Sequence, residues 1–237
     1  MNKVLISGFL FLSLMFSACE YIPLPGTTEG PRPLTDGEIL SGLKEAINVG
    51  SKKAAEKANM TDAFFKNQLL FIAFPPEAQK VADQLRKIGA NQIVDDFTLA
   101  LNRAAENAAT KATPIFADAV RKMSWEDVRK ILKGPENSAT LYFKQTTYQS
   151  LYQAFYPVIK ESLGQVNATQ YWGDITTLYN QIPLVKPVNP DIAQYTTTKA
   201  LDGLFILLAK EEASIRKDPA ARVTDILKRV FGYTGDI

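Results

Sequence analysis

From Thr35 to the end of the chain, large apolar residues recur at three- and four-residue intervals, and no useful stretch alternates with the period of two that a half-buried strand needs. That patterning confines the body to helices. It predicts an all-α fold: a single multi-helix domain of about eight helices over 35–237. A content of 46% hydrophobic and 22% charged residues is ordinary for a chain that buries one core. No repeat of constant period is present, which argues against a helical solenoid.

The punctuation between the apolar stripes sets the expected boundaries. Thr35 with Glu38 forms a capping box for a first helix that buries Ile39, Leu43, Ile47 and Gly50 and runs toward Asn59. The segment Phe64 to Phe74 is too short and too continuously apolar for periodicity to assign, and we read it as a buried turn or short extended piece. Pro75-Pro76 starts a second helix stopped by Gly89, and Asn91 starts a third with Ile93, Phe97, Leu101, Ala104 and Ala108 turned inward. A fourth begins at Thr113-Pro114, and Ser124 with Asp127 caps a fifth that Gly134-Pro135 ends. A long helix over 137–164 carries Pro157, where a kink is expected, and a shorter one covers Tyr171 to Tyr179. After a proline-bearing loop, a very apolar helix runs from Ile192 to Ile215, and Asp218-Pro219 opens a last one with Val223, Ile226, Leu227 and Phe231 inward.

Two absences narrow the chemistry. The chain has one cysteine, Cys19, and no histidine. Without histidine, the Ser-His-Asp, Cys-His, HExxH and Glu-x-x-His arrangements are all excluded, and so is the usual general base near neutral pH. With Cys19 assigned to an anchor, no thiol is left for a disulfide, a metal or a nucleophile. The spacing of acids fits no EF-hand and the glycines fit no phosphate loop, so neither metal nor cofactor is expected. Lys and Arg are interspersed with Asp and Glu at a net charge of +2, which gives nucleic acid no basic face to bind.

The first eighteen residues read as a bacterial lipoprotein signal peptide: Lys3, an apolar run from Val4 to Met15, then Phe16-Ser17-Ala18 before Cys19. We expect cleavage before Cys19 and lipidation of its sulfur, so that the chain meets the membrane through an N-terminal lipid anchor. Residues 19–34 alternate proline and glycine, a tether able to hold the body roughly 40 Å from the lipid surface. Glu20 is not the aspartate that retains such proteins at an inner membrane. This favours an outer-membrane site facing the periplasm.

Several blocks along the body carry a family resemblance: Asp95-Asp96-Phe97, Leu101-Asn102-Arg103-Ala104-Ala105-Glu106, Pro114-Ile115-Phe116, and Ala139-Thr140 with Tyr142-Phe143. Toward the end follow Lys199-Ala200-Leu201-Asp202-Gly203-Leu204-Phe205, Glu211-Glu212 with Ile215-Arg216, and Asp218-Pro219-Ala220-Ala221-Arg222 leading to Thr224-Asp225. In this order they resemble the bacterial domain-of-unknown-function family 4197. The resemblance implies an all-helical exported domain and brings no activity, cofactor or catalytic residue with it.

Two side-chain sets remain as candidate sites. Asp95, Asp96, Asn102, Arg103, Glu106, Asp202, Arg216 and Arg222 are either a polar groove or a structural ion-pair network, with Arg103, Arg216 and Arg222 as partners for Asp202. Tyr142, Tyr148, Tyr152, Tyr156 and Trp172 are either rim-of-core aromatics or an aromatic groove for a lipid, peptide or glycan. The functional expectation is therefore a non-enzymatic binding or scaffold domain in the cell envelope, its partner an envelope protein. A carrier of a hydrophobic ligand is the alternative, and a carboxylate- or tyrosine-based enzyme the second alternative.

Overall fold

The computed structural model describes residues 32–181, 184, 187–189 and 191–233, so Cys19 and the leader and tether expected around it lie outside the described residues. Among the described residues there are nine α-helices, linked in three places by short 3-10 turns, and no strand. They are α1 (Asp36–Ala58), α2 (Gln79–Lys87), α3 (Asn91–Ala108), α4 (Ala112–Lys122), α5 (Trp125–Lys133), α6 (Ser138–Gln165), α7 (Ala168–Asn180), α8 (Ile192–Lys217) and α9 (Asp225–Phe231). No helix of the described residues is long and apolar enough to cross a membrane.

The core forms around α8, whose Ile192, Leu201 and Leu204 are fully buried, with α1 and α6 packed along it. α3 lies against α6, while α4 and α9 cover α1. Helices approach closely where the sequence supplies small residues: α1 buries Gly42, Ala46, Gly50, Ala54 and Ala58 at four-residue spacing. A methyl group at Gly42 would stand 2.5 Å from Val230 Cγ2, so α9 docks against bare α1 backbone. Phe116, Phe143 and Phe205 add edge-on ring contacts at 5.4 and 6.3 Å between centroids.

Local chemistry explains most of the helix ends. Both capping boxes form: the Thr35 hydroxyl accepts the Glu38 amide, and the Ser124 hydroxyl accepts the Asp127 amide, each with the reciprocal bond present. Gly89 turns the chain out of α2 at φ 84°, a left-handed conformation that a side chain would strain. α6 continues as helix across Pro157, and both Pro157 and Gln153, whose carbonyl loses its donor, face solvent, where water can take that carbonyl.

The structure moves some boundaries and faces. α3 passes into α4 through a 3-10 turn, so α4 begins at Ala112 and Pro114 lies within its first turn, where no intrahelical donor is needed. Ile93 is 61% exposed and Val94 takes the inward position in its place. The Asp218-Pro219 corner makes only a 3-10 turn; Thr224 caps α9, and Val223 between them is exposed. The apolar segment before α2 is neither helix nor strand by backbone pairing: residues 59–66 are turns, and 69–74 alternate out and in, with Leu70, Ile72 and Phe74 buried.

Candidate binding grooves

The irregular segment between α1 and α2 needs partners for its buried amides, and α3 supplies them with side chains. The Asn102 carboxamide, fully buried, accepts the Ile72 N–H at 2.9 Å and donates to the Ile72 carbonyl at 2.9 Å, as a neighbouring strand would. One turn further on, Glu106 accepts the Phe64 amide at 3.1 Å. Arg103 then joins Glu106 at 2.6 Å to Asp62 at 2.5 Å, and Lys66 meets Asp62 at 2.7 Å. Lys66 and Arg103 together hold the Asp62 carboxyl below its ordinary value, while Glu106 and Asp62 raise the Arg103 guanidinium. Asn102, Arg103 and Glu106 thus strap the segment to the core.

A second carboxylate works in the same way. Glu212 of α8 accepts the Ala139 and Thr140 amides at 3.0 and 2.9 Å and the Thr140 hydroxyl at 2.8 Å, capping α6 from outside because Asn137 makes no side-chain cap. Arg216, one turn along α8, pairs with Glu212 at 2.9 Å and donates to the Ile131 carbonyl at the end of α5. Arg222 donates to the Ile215 and Arg216 carbonyls that end α8. Asp95 pairs with Arg86 at the surface, and Asp96 is exposed. The eight polar candidates are therefore dispersed over several junctions. Asp202 meets none of the expected arginines: it stands half-exposed, 3.9 Å from Lys144.

The aromatic candidates divide in two. Trp172 is buried, stacked on Phe97 at 5.6 Å, with its indole N–H donated to the Asn189 carbonyl. Tyr148, Tyr152 and Tyr156 form a half-buried ladder one turn apart along α6, stacked at 6.5 and 5.9 Å, with Phe205 of α8 beside its first ring. The Tyr156 hydroxyl donates to Asp191 at 2.8 Å; that bond, and then burial, raise its pKa. Tyr142 is half-buried, its pKa raised by burial and by Asp127. Neither of the two apolar grooves has any of these four tyrosines in its lining.

The first groove, about 710 Å³, lies between α8, the N-terminal half of α6 and the strapped segment. Leu69, Phe71, Leu141 and Ile206 line it, each 38% or more exposed, beside Lys144, Lys199 and Asp202. Its wall exists because Gly203 lets the fully buried Phe64 ring lie on α8: a methyl group there would be 2.6 Å from Phe64 Cε1. Tyr195 closes one end, its hydroxyl donated to the Ala73 carbonyl at 3.2 Å and its pKa raised by burial. The second groove, about 790 Å³, runs between α2, α3, α7 and the end of α6, with Phe74, Phe97, Ile93, Val166 and Tyr171 in its lining.

Sequence reasoning missed Lys144 and Lys199 because each reads as an ordinary solvated position of a helix, and Ile206 because it reads as one more apolar residue of a very apolar helix. The usable signal was Asp202, a carboxylate placed between Leu201 and Leu204. Both grooves are open and mainly apolar, with charged groups at their edges, Lys144, Lys199 and Asp202 in the first and Asp96 and Arg103 in the second, a geometry suited to binding. Among the described residues no group of three acidic side chains converges as metal ligands would.

No curated protein and no solved structure matches the chain. A family model described as "Protein of unknown function (DUF4197)" matches residues 33–232, from just before α1 to the end of α9, and the chain therefore belongs to that family.

Proposed function

We propose that the protein is a lipid-anchored domain of the cell envelope that acts by binding rather than by catalysis. The supporting observation is the gathering of Leu69, Phe71, Leu141 and Ile206, all exposed, in one groove. Exposed apolar side chains scattered singly need no explanation, whereas a contiguous set marks a surface that something covers. The N-terminal pattern ending at Cys19 supplies the location, Glu20 favours an outer-membrane site, and the proline-rich tether gives the body reach.

The test has two parts. Intact-mass analysis of the membrane-extracted protein is expected to find an acylated Cys19 as the first residue, and Cys19→Ser to release the body from the membrane fraction. A photo-crosslinking residue at Ile206 is expected to trap a defined species in envelope preparations, which the same residue at exposed Lys52 on α1 does not. An unmodified Met1 start would defeat the anchor, and identical crosslinks from both positions would defeat the binding surface.

The carrier of a hydrophobic ligand stays as a second reading because of the groove under α3. Its Phe74, Phe97 and Tyr171 are aromatic and its size falls within the roughly 300–1,000 Å³ of small-ligand sites. A further apolar pocket, under α1 and α9, holds only about 30 Å³ and takes no lipid chain.

A further inference from the structure

We infer that the lysine-bearing groove of α8 takes a single-chain fatty acid, its carboxylate held by Lys199 and Lys144 and its chain laid over Leu69, Phe71, Leu141 and Ile206; this rests on the binding role proposed above and names the ligand class of that site. The charges decide the head group. Lys144 has Asp202 at 3.9 Å, but Lys199 has no carboxylate within ion-pair distance among the described residues and only lies over the Tyr195 ring at 6.0 Å. The polar rim of two lysines and one aspartate thus carries one net positive charge, complementary to a head bearing a single negative charge. Lysine suits the position, because its methylene stem covers apolar surface while the ammonium reaches the head group in water.

The size suits a ligand with one acyl chain. A volume of about 710 Å³ falls inside the range of small-molecule sites. An acyl chain also fits the floor chemically, since its aromatic members are only Phe71, Tyr195 and Phe205, and the Thr140 and Tyr195 hydroxyls beside them already donate to Glu212 and to the Ala73 carbonyl.

The experiment uses the full lipoprotein in isolated envelope membranes and two probes of equal chain length carrying a photoactivatable diazirine, a fatty acid and the corresponding fatty alcohol. After irradiation, adducts are mapped by peptide mass spectrometry. The expected result is labelling of peptides containing Leu141 and Ile206, about tenfold stronger for the acid than for the alcohol, and reduced about tenfold in Lys144→Glu/Lys199→Glu. Lys160→Glu, at an exposed position outside the groove, keeps full labelling. Equal labelling by acid and alcohol, or labelling indifferent to the two lysines, overturns the assignment. A protein crosslinked at Ile206 without any acid adduct overturns the fatty acid and leaves the binding role standing. Neither lipid nor protein at that position overturns both.

Discussion

Glu212 on α8 bonds the backbone of Thr140 at 2.9 Å, so the start of one core helix is capped by a carboxylate 72 residues away in sequence. The same carboxylate carries the Arg216 guanidinium, which in turn reaches the end of α5. Two side chains of α8 thus join three helices, α5, α6 and α8.

Glu212→Ala therefore strands a largely buried arginine and frees the first amides of α6. The expected loss is about 3 kcal/mol of unfolding free energy, because removing one partner of a buried pair costs more than the pair contributes. Chemical denaturation checks it. Glu136→Ala, which removes an exposed pair with Lys217, is expected to change stability by less than about 0.5 kcal/mol.

Asn102→Leu keeps the branched shape of the side chain, with somewhat more bulk, and removes its hydrogen bonds. Both polar groups of Ile72 are then buried without partners, a cost of about 2–4 kcal/mol. Native-state hydrogen exchange is expected to show faster exchange at Ile72 while the amides of α8 keep their protection. Asn102→Asp is expected to do worse, since its second oxygen would face the Ile72 and Thr98 carbonyls.

Asp62 gives an acid-dependent contribution with a definite sign. Its folded-state pKa lies below the ordinary 3.8 because of Lys66 and then Arg103, so it favours the folded state above that value. The contribution disappears as pH falls through the depressed folded value. Asp62 adopts φ 67°, which asparagine also tolerates, so Asp62→Asn removes the charge without straining the turn. The denaturation midpoints of Asp62→Asn and the natural protein are expected to differ near pH 7 and to converge as pH falls below the ordinary carboxyl value of 3.8.

Two glycine substitutions should move stability in opposite directions. Gly203→Ala pushes a methyl group into the buried Phe64 ring and is expected to cost about 1–3 kcal/mol. Gly173→Ala, inside α7 with nothing within 4 Å of the added carbon, is expected to gain about 0.5–1 kcal/mol. Thermal melts of the two variants decide it.

What was readable in advance was local. Thr35 with Glu38, Ser124 with Asp127, and Gly89 are signals complete within four residues, and the structure has each where the sequence puts it. α8 was legible because its apolar residues leave no other period. Asn102 and Glu106 were visible as polar residues on an apolar face, but their partners are backbone groups 30 and 42 residues away, which no spacing encodes. Asp202 likewise looked like a buried ion-pair partner. α8 turns it to the surface instead, because the adjacent Gly203 must face Phe64. Ile93 read as core since its spacing to Phe97 is right, yet the first turn of α3 faces the open groove and leaves that side chain uncovered.

The strap across α3 also fixes a length. Asn102 and Glu106 are one helical turn apart, about 6 Å along the axis, and they grip Ile72 and Phe64 respectively. The helix acts as a ruler: the seven residues between the two gripped positions must double back to meet that pitch. Substitutions at exposed points such as Lys66 or Gln68 leave the measure intact, whereas a single inserted or deleted residue would put one anchor out of step with the other.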